Sequence, residues 1–191
     1  RRSELAPLVY EAKDWNHGVL IGASVGSETT AAAAGDIGIV RRDPMAMKPF
    51  CGYNFGDYWQ HWLSFSKQSQ NLPKIFHVNW FRQNDQGFLW PGFGENLRVL
   101  NWIIQRCQNK IDAKETPIGY VPLKQDIDVS GLNISIENLN ELFQIDANQW
   151  LAEMKNIKEY FDEFGERLPN ELLDEHSKVI KSLKDSLHSS Q

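Results

Sequence analysis

The chain has 191 residues, enough for one domain or one lobe of a larger protein. Its 41% hydrophobic and 24% charged content is that of an ordinary soluble globular chain. A net charge of −5 argues against a nucleic-acid partner held through phosphates, and no run of about 18 apolar residues offers a membrane span.

The chain opens with Arg1-Arg2, without an initiator Met, and no signal peptide is evident. Pro7 to Glu11 reads as a strand. Asp14 suits the cap of a helix from Trp15 to about Val25, where Gly18 and Gly22 leave a smooth face for close packing. Gly26 to Gly38 is small, weakly patterned and bounded by glycine; it reads as a surface segment or a mobile lid. Ile39-Val40 begin a short strand stopped at Asp43-Pro44. Gly56 to Phe65 has Tyr58, Trp59, Trp62 and Phe65 at helical spacing, a pattern of core packing.

Lys74 to Phe81 has high strand propensity. A helix follows from about Glu95 to Cys107, with Val99, Leu100, Ile103, Ile104 and Cys107 as its expected buried face. Thr116 to Val121 reads as one short strand between prolines. The remainder reads as helical: Ile136 to Phe143, then Ala147 to Phe164 with Trp150, Met154, Ile157, Phe161 and Phe164 on one face. A last helix, Asn170 to Leu187, has Leu173, Ile180, Leu183 and Leu187 as its expected apolar face.

Aromatics concentrate in one half of the chain: of 22, 14 fall between Phe50 and Trp102. The densest stretch, Trp80 to Asn96, interleaves Trp80, Phe81, Phe88, Trp90 and Phe93 with Gly87, Gly92 and Gly94, directly before a helix start. Flat apolar faces beside free helix N–H donors suit a planar heterocycle that carries phosphates. Taken singly, each aromatic reads equally well as core.

Other chemistry is sparse. There is no G-x-x-x-x-G-K-[ST] phosphate loop and no G-x-S-x-G elbow. The five histidines show no metal-ligand spacing, and nothing singles out Asp14, Asp43 or Asp57 as a general base. Cys51 and Cys107 form no C-x-x-C pattern, which points to a reduced intracellular protein. The residues alone describe a binding half without a reaction centre.

Seven strings are more specific. PLVYEA (7–12), WNHGVLIGAS (15–24), SETTAAA (27–33), DPMAMKPFCGYNFGDYWQHWL (43–63), LPKIFHVNWFR (72–82), FLWPGFGEN (88–96) and TPIGYVP (116–122) resemble, in family order, the C-terminal part of GTP-dependent phosphoenolpyruvate carboxykinase. The resemblance covers nearly the whole chain, closely over its first two-thirds and only in character over the helical tail. It implies an α/β fold: a mixed-sheet C-terminal lobe with a helical C-terminal tail. Residues 1–125 would form its guanine-nucleotide-binding part and 126–191 the helical segment of the same lobe.

The implied reaction converts oxaloacetate and GTP to phosphoenolpyruvate, GDP and CO2 in gluconeogenesis, with Mn and Mg held by ligands outside this chain. The implied guanine site is Phe81, Phe88 and Phe93 as walls, with Gly94, Glu95 and Asn96 reading the base. Arg1 falls where the family contacts nucleotide phosphate. The lid falls on Thr29, Thr30, Ala31, Ala32, Ala33, Ala34, Gly35, Asp36, Ile37, Gly38 and Ile39, leaving Trp80 and Trp90 as packing residues. No metal ligand and no catalytic residue other than the lid is expected in this chain. Oxaloacetate and phosphoenolpyruvate would be met by a preceding part of the enzyme. The complete enzyme is expected to be a cytoplasmic or mitochondrial monomer without nucleic-acid or membrane partners, and the 191 residues alone are expected to be inactive.

Three departures from the family pattern stand out: Gly26 where an arginine is usual, Ala34 and Gly35 where the lid is usually more polar, and a turn between Phe81 and Phe88 one residue short. They leave open a diverged, non-catalytic relative that keeps a nucleotide-binding or structural role. An aromatic-rich carbohydrate or peptide binder explains the Trp and Phe content but not the ordered strings.

Overall fold

The computed structural model describes residues 5–28 and 40–189. In chain order its elements begin with β1 (Val9–Glu11), α1 (Trp15–Ser24), β2 (Gly26–Glu28), β3 (Val40–Arg42), α2 (Phe55–Gln68), β4 (Phe76–Val78), β5 (Gln83–Asn84) and β6 (Gly87–Phe88). They continue with α3 (Asn96–Cys107), β7 (Lys114–Thr116), β8 (Gly119–Val121), α4 (Ile136–Leu142), α5 (Ala147–Asp162) and α6 (Asn170–His188). The fold is α/β, and among the described residues no helix is long and apolar enough to cross a membrane. The chain divides into two compact units, each built from two separate stretches. Residues 5–12 and 76–146 form a sheet unit; 13–28, 40–75 and 147–189 form a helical unit. Residues 126–146 therefore belong with 76–125 rather than with the terminal helices.

In the sheet unit four strands pair in the order β4-β1-β8-β7, and every pair is antiparallel. The register sets Val9 against Val78, Tyr10 against His77 and Glu11 against Phe76. The strand expected over 116–121 is the β7–β8 hairpin, turning at Pro117-Ile118 because proline cannot donate to a ladder. Leu8, Val9, Leu89, Trp90, Val99, Trp102, Ile127 and Leu142 pack into one core. Glu11 is buried and accepts from Arg106 Nε at 2.6 Å, so β1 and α3 are joined by a shielded ion pair. Removing one partner would strand a buried charge.

The face of α3 differs from the expected one. Val99 and Trp102 are buried, whereas Leu100, Ile104 and Cys107 are exposed. Trp102 reaches Phe76 edge-on at 5.8 Å between ring centroids, and this large ring fixes which side of the helix turns inward.

In the helical unit, Asp14 caps α1 by accepting the His17 backbone N–H at 2.8 Å, and the His17 Nδ1 accepts the Lys13 N–H at 3.1 Å. The first bond satisfies a donor that a helix start leaves open, and the second ties the residue before the cap to the first turn. A Cβ on Gly18 would come within 2.3 Å of the Ile75 side chain, and one on Gly22 within 2.3 Å of the Met45 sulfur, so the smooth face of α1 is used. Trp59 of α2 is fully buried among Phe161 at 5.6 Å and Phe164 at 4.6 Å. On α5, Trp150, Met154, Ile157 and Phe161 are buried at the expected spacing.

On α6 the buried face is Leu172, Glu175, His176, Val179 and Leu183, not Leu173, Ile180 and Leu187. Polar side chains hold that face because they have partners. His176 Nε2 donates to the Met154 carbonyl at 2.7 Å, and Glu175 accepts from Lys178 at 2.5 Å.

Candidate functional site

The aromatic stretch is shaped by a short hairpin. β5 and β6 pair antiparallel with Gln83 opposite Phe88, and the Leu89 N–H donates to the Arg82 carbonyl at 2.9 Å. The Asn84 Oδ1 accepts the Gln86 N–H at 3.0 Å, a side-chain turn that closes the hairpin. Beneath it, buried Arg82 donates to the Leu142 carbonyl at 3.4 Å and to the Gln144 carbonyl at 2.9 Å, while Asn84 donates to Glu141 at 3.1 Å. Burial pulls the Arg82 guanidinium below its usual range, against an opposing pull from Glu141. On the other side, fully buried Asn79 donates to the Ala6 carbonyl at 2.8 Å and accepts the Phe81 N–H at 3.2 Å. Buried polar anchors thus hold a strip whose aromatic rings face outward.

Phe81 is 42% exposed, Phe88 60% and Phe93 93%. Rings this exposed add little to the core. The Phe81 and Phe88 rings stand 6.2 Å apart, edge to face at 65°. They line one cleft of about 530 Å³ together with Trp80, Trp90, Pro91, Gly92, Phe93 and Asn96. After Gly92, a single turn of tight helix (Phe93–Glu95) leads into α3, so the cleft lies beside that helix start. Asn96 is the first residue of α3, and its Oδ1 accepts from the Trp90 indole Nε1 at 2.9 Å. Rings, a helix start and one side-chain amide together can hold a flat heterocycle and read one edge of it.

The sequence-predicted site residues separate into three sets. Phe81, Phe88, Phe93 and Asn96 share the cleft. Gly94 and Glu95 line a second hollow, of about 450 Å³, with Leu97, Arg98, Asn101, Ile104 and Asp128. There Glu95 accepts from Arg98 Nε at 2.6 Å, which commits its carboxylate. Arg1 and the lid, 29–39, lie outside the described residues. A further hollow of about 220 Å³, lined by Lys114, Lys124 and Asn140 among others, holds none of the expected site residues. Among the described residues no group of three or more His, Cys, Asp or Glu could hold a metal.

Trp80 and Trp90 do pack, with ring centroids 6.5 Å apart, yet both also line the cleft. Reading them as packing alone misses that Trp90 bonds a cleft residue. The sequence carries no signal for that bond beyond the six-residue spacing of Trp90 and Asn96.

Comparison with known proteins gives this site its context. Residues 1–182 match the family described as the phosphoenolpyruvate carboxykinase C-terminal P-loop domain. The chain is 55% identical over 188 residues, 97% of its length, to a phosphoenolpyruvate carboxykinase [GTP] of Chlamydia pneumoniae. It is 54% identical over 184 residues, 96% of its length, to the protein of that name from Thermoplasma volcanium. To the one from Neocallimastix frontalis it is 50% identical over 190 residues, 98% of its length. The chain spans 31% of the length of each of these relatives.

Proposed function

This chain belongs to the phosphoenolpyruvate carboxykinase family, matching its C-terminal domain, and on that premise we propose that it supplies the guanine-binding part of a GTP-dependent phosphoenolpyruvate carboxykinase. The reaction is oxaloacetate plus GTP to phosphoenolpyruvate, GDP and CO2, a decarboxylation coupled to phosphoryl transfer that serves gluconeogenesis. The observation that carries the proposal is the cleft itself: three exposed phenylalanines and Asn96 converge beside the start of α3. The rings stack on the base, and the amide and backbone groups meet its polar edge.

Around this base site we assign the remaining roles as follows. Arg1 contacts the nucleotide phosphates. Thr29 to Ile39 close over the reacting centre and exclude water while an enolate exists. Gly94 and Glu95 belong to the base-reading segment, through their backbone. The divalent metals, Mn and Mg, supply charge stabilisation for phosphoryl transfer when bound. Their ligands, with the contacts to oxaloacetate and phosphoenolpyruvate, are placed outside this chain. The 191 residues alone therefore form no phosphoenolpyruvate. The complete enzyme is taken to act as a monomer, in the cytoplasm or in mitochondria. The net charge of −5 supports the absence of a nucleic-acid partner.

Calorimetric titration of the full-length protein with GTP and ATP tests the reading. GTP binds at least tenfold more tightly, a margin of about 1.4 kcal/mol, and Phe88→Ala weakens GTP while leaving the fold intact. Equal binding of the two nucleotides would overturn it.

A further inference from the structure

The geometry points to Trp90 as a specificity-determining residue: its indole N–H fixes the orientation of the Asn96 amide and thereby decides which purine the cleft accepts. The inference rests on the base-binding reading above and adds a residue and a mechanism to it.

The two ends of an asparagine amide have nearly the same shape and opposite chemistry, so which end faces a ligand is set by the neighbouring bonds. Here the neighbour is unambiguous. An indole Nε1 can only donate. Its 2.9 Å contact to the Asn96 side chain therefore requires the amide oxygen on the Trp90 side. Trp90 is 1% exposed, so its N–H is shielded from water. No other hydrogen bond to the Asn96 side chain is found among the described residues, which leaves the amide NH2 for a ligand.

A contrast within the fold shows that burial alone does not give a tryptophan such a bond. Trp59 and Trp102 are also fully buried, and neither Nε1 has a hydrogen-bond partner among the described residues. Packing suffices for those two rings. At Trp90 the N–H is matched to a residue that lines the cleft.

An amide held this way presents a donor. It matches a purine with a carbonyl oxygen at C6, as in guanine or hypoxanthine. It opposes adenine, whose amine at C6 also donates, so that two donors meet and neither is satisfied. A free amide would defeat this selection by rotating its oxygen toward the adenine amine. Trp90 prevents the rotation. It acts through Asn96 and is a positioning residue.

The test is to titrate the full-length protein with N-methylanthraniloyl derivatives of GDP, IDP and ADP, exciting the label directly so that loss of a tryptophan does not alter the readout. Wild type is expected to prefer GDP and IDP over ADP. Trp90→Phe removes the donor while keeping a ring, and both preferences are expected to shrink about tenfold, with ADP gaining affinity. IDP isolates the C6 oxygen because it lacks the 2-amino group. A purely structural Trp90 would weaken all three ligands alike, and unchanged ratios in this variant would overturn the inference. Asn96→Asp supplies a second test that keeps Trp90 and its bond. The carboxylate turns an acceptor toward the ligand, and the preference is expected to move toward ADP by at least as much; an unmoved preference overturns the inference. If wild type does not distinguish IDP from ADP, the guanine reading fails and this inference with it. If wild type distinguishes them and Asn96→Asp shifts the ratio while Trp90→Phe does not, only the role of Trp90 falls.

Discussion

The helical unit sets Trp59 against Phe161 and Phe164, with ring centroids as close as 4.6 Å and no exposed surface on the indole. The sheet unit sets Phe81 and Phe88 edge to face at 6.2 Å, and leaves both open to solvent with Phe93 beyond them. The residue types are the same and the fates opposite. The difference lies in what holds the backbone. Helices α2 and α5 gain their stability by burying rings. The strip from Phe81 to Phe93 is held by the polar anchors Asn79 and Arg82 and by the buried pair Leu89 and Trp90, so its outward rings are not needed for folding. Aromatic density marks both a core and a cleft, and only the anchoring beneath the rings separates the two.

Mutating one ring in each unit should break the symmetry of residue type. Trp59→Ala is expected to have the largest effect, a loss of about 3–5 kcal/mol in unfolding free energy, read from urea denaturation. A loss under 1 kcal/mol would mean that this ring does not carry the helical core.

The comparison extends to acid sensitivity. Burial lowers the His17 pKa from 6.5 to about 4, against an upward pull from Asp14 and with further lowering by Lys13 and Lys178. The neutral ring is also the form whose Nδ1 accepts the Lys13 N–H. Between these two pH values the unfolded chain binds the proton more readily. The contribution is therefore complete above pH 6.5 and is lost as the pH falls toward 4, by something on the order of 3 kcal/mol. Hydrogen exchange, corrected for intrinsic rates, should show α1 losing protection across this window. His17→Gln should flatten the dependence.

Phe93→Ala gives the reciprocal of the Trp59 experiment. Nucleotide affinity should fall by about 1–3 kcal/mol, the range for a base stacked on an aromatic side chain, while the denaturation midpoint stays nearly fixed. A variant that loses stability and keeps affinity would reverse the assignment of core and cleft. The smallest effect concerns the cap that starts α1: Asp14→Ala should cost about 1 kcal/mol, measured by thermal unfolding, without changing nucleotide affinity.

The period of α5 was legible because Trp150, Met154, Ile157 and Phe161 form a single stripe. On α6 the doublets Leu172-Leu173 and Val179-Ile180 offer two stripes one residue apart. The choice between them depends on partners for Glu175 and His176 that only the packed helices supply. On α3 the apolar residues exceed what the core takes, and Trp102 rather than Leu100 or Ile104 settles the rotation. Within the cleft, the convergence of Phe81, Phe88, Phe93 and Asn96 was expected from family motifs. The separation of Gly94 and Glu95 into a second hollow was not, because one tight turn redirects the chain there. The Trp90–Asn96 bond depends on the same turn and leaves no periodic trace.

The alternating ownership of the chain, sheet unit, helical unit, sheet unit, helical unit, has a consequence for synthesis on the ribosome. β1 is made before α1 and α2, but its partner strand β4 begins at Phe76, so this pairing must close a loop that contains both helices. Once Asp146 has emerged the sheet unit holds all its strands, while α1 still lacks α6 and Trp59 still lacks the rings of α5. During that interval the Trp59 side of α2 lacks its cover, although Trp62 already stacks on Trp15 of α1, and nascent chains stalled there would be the ones most in need of a chaperone.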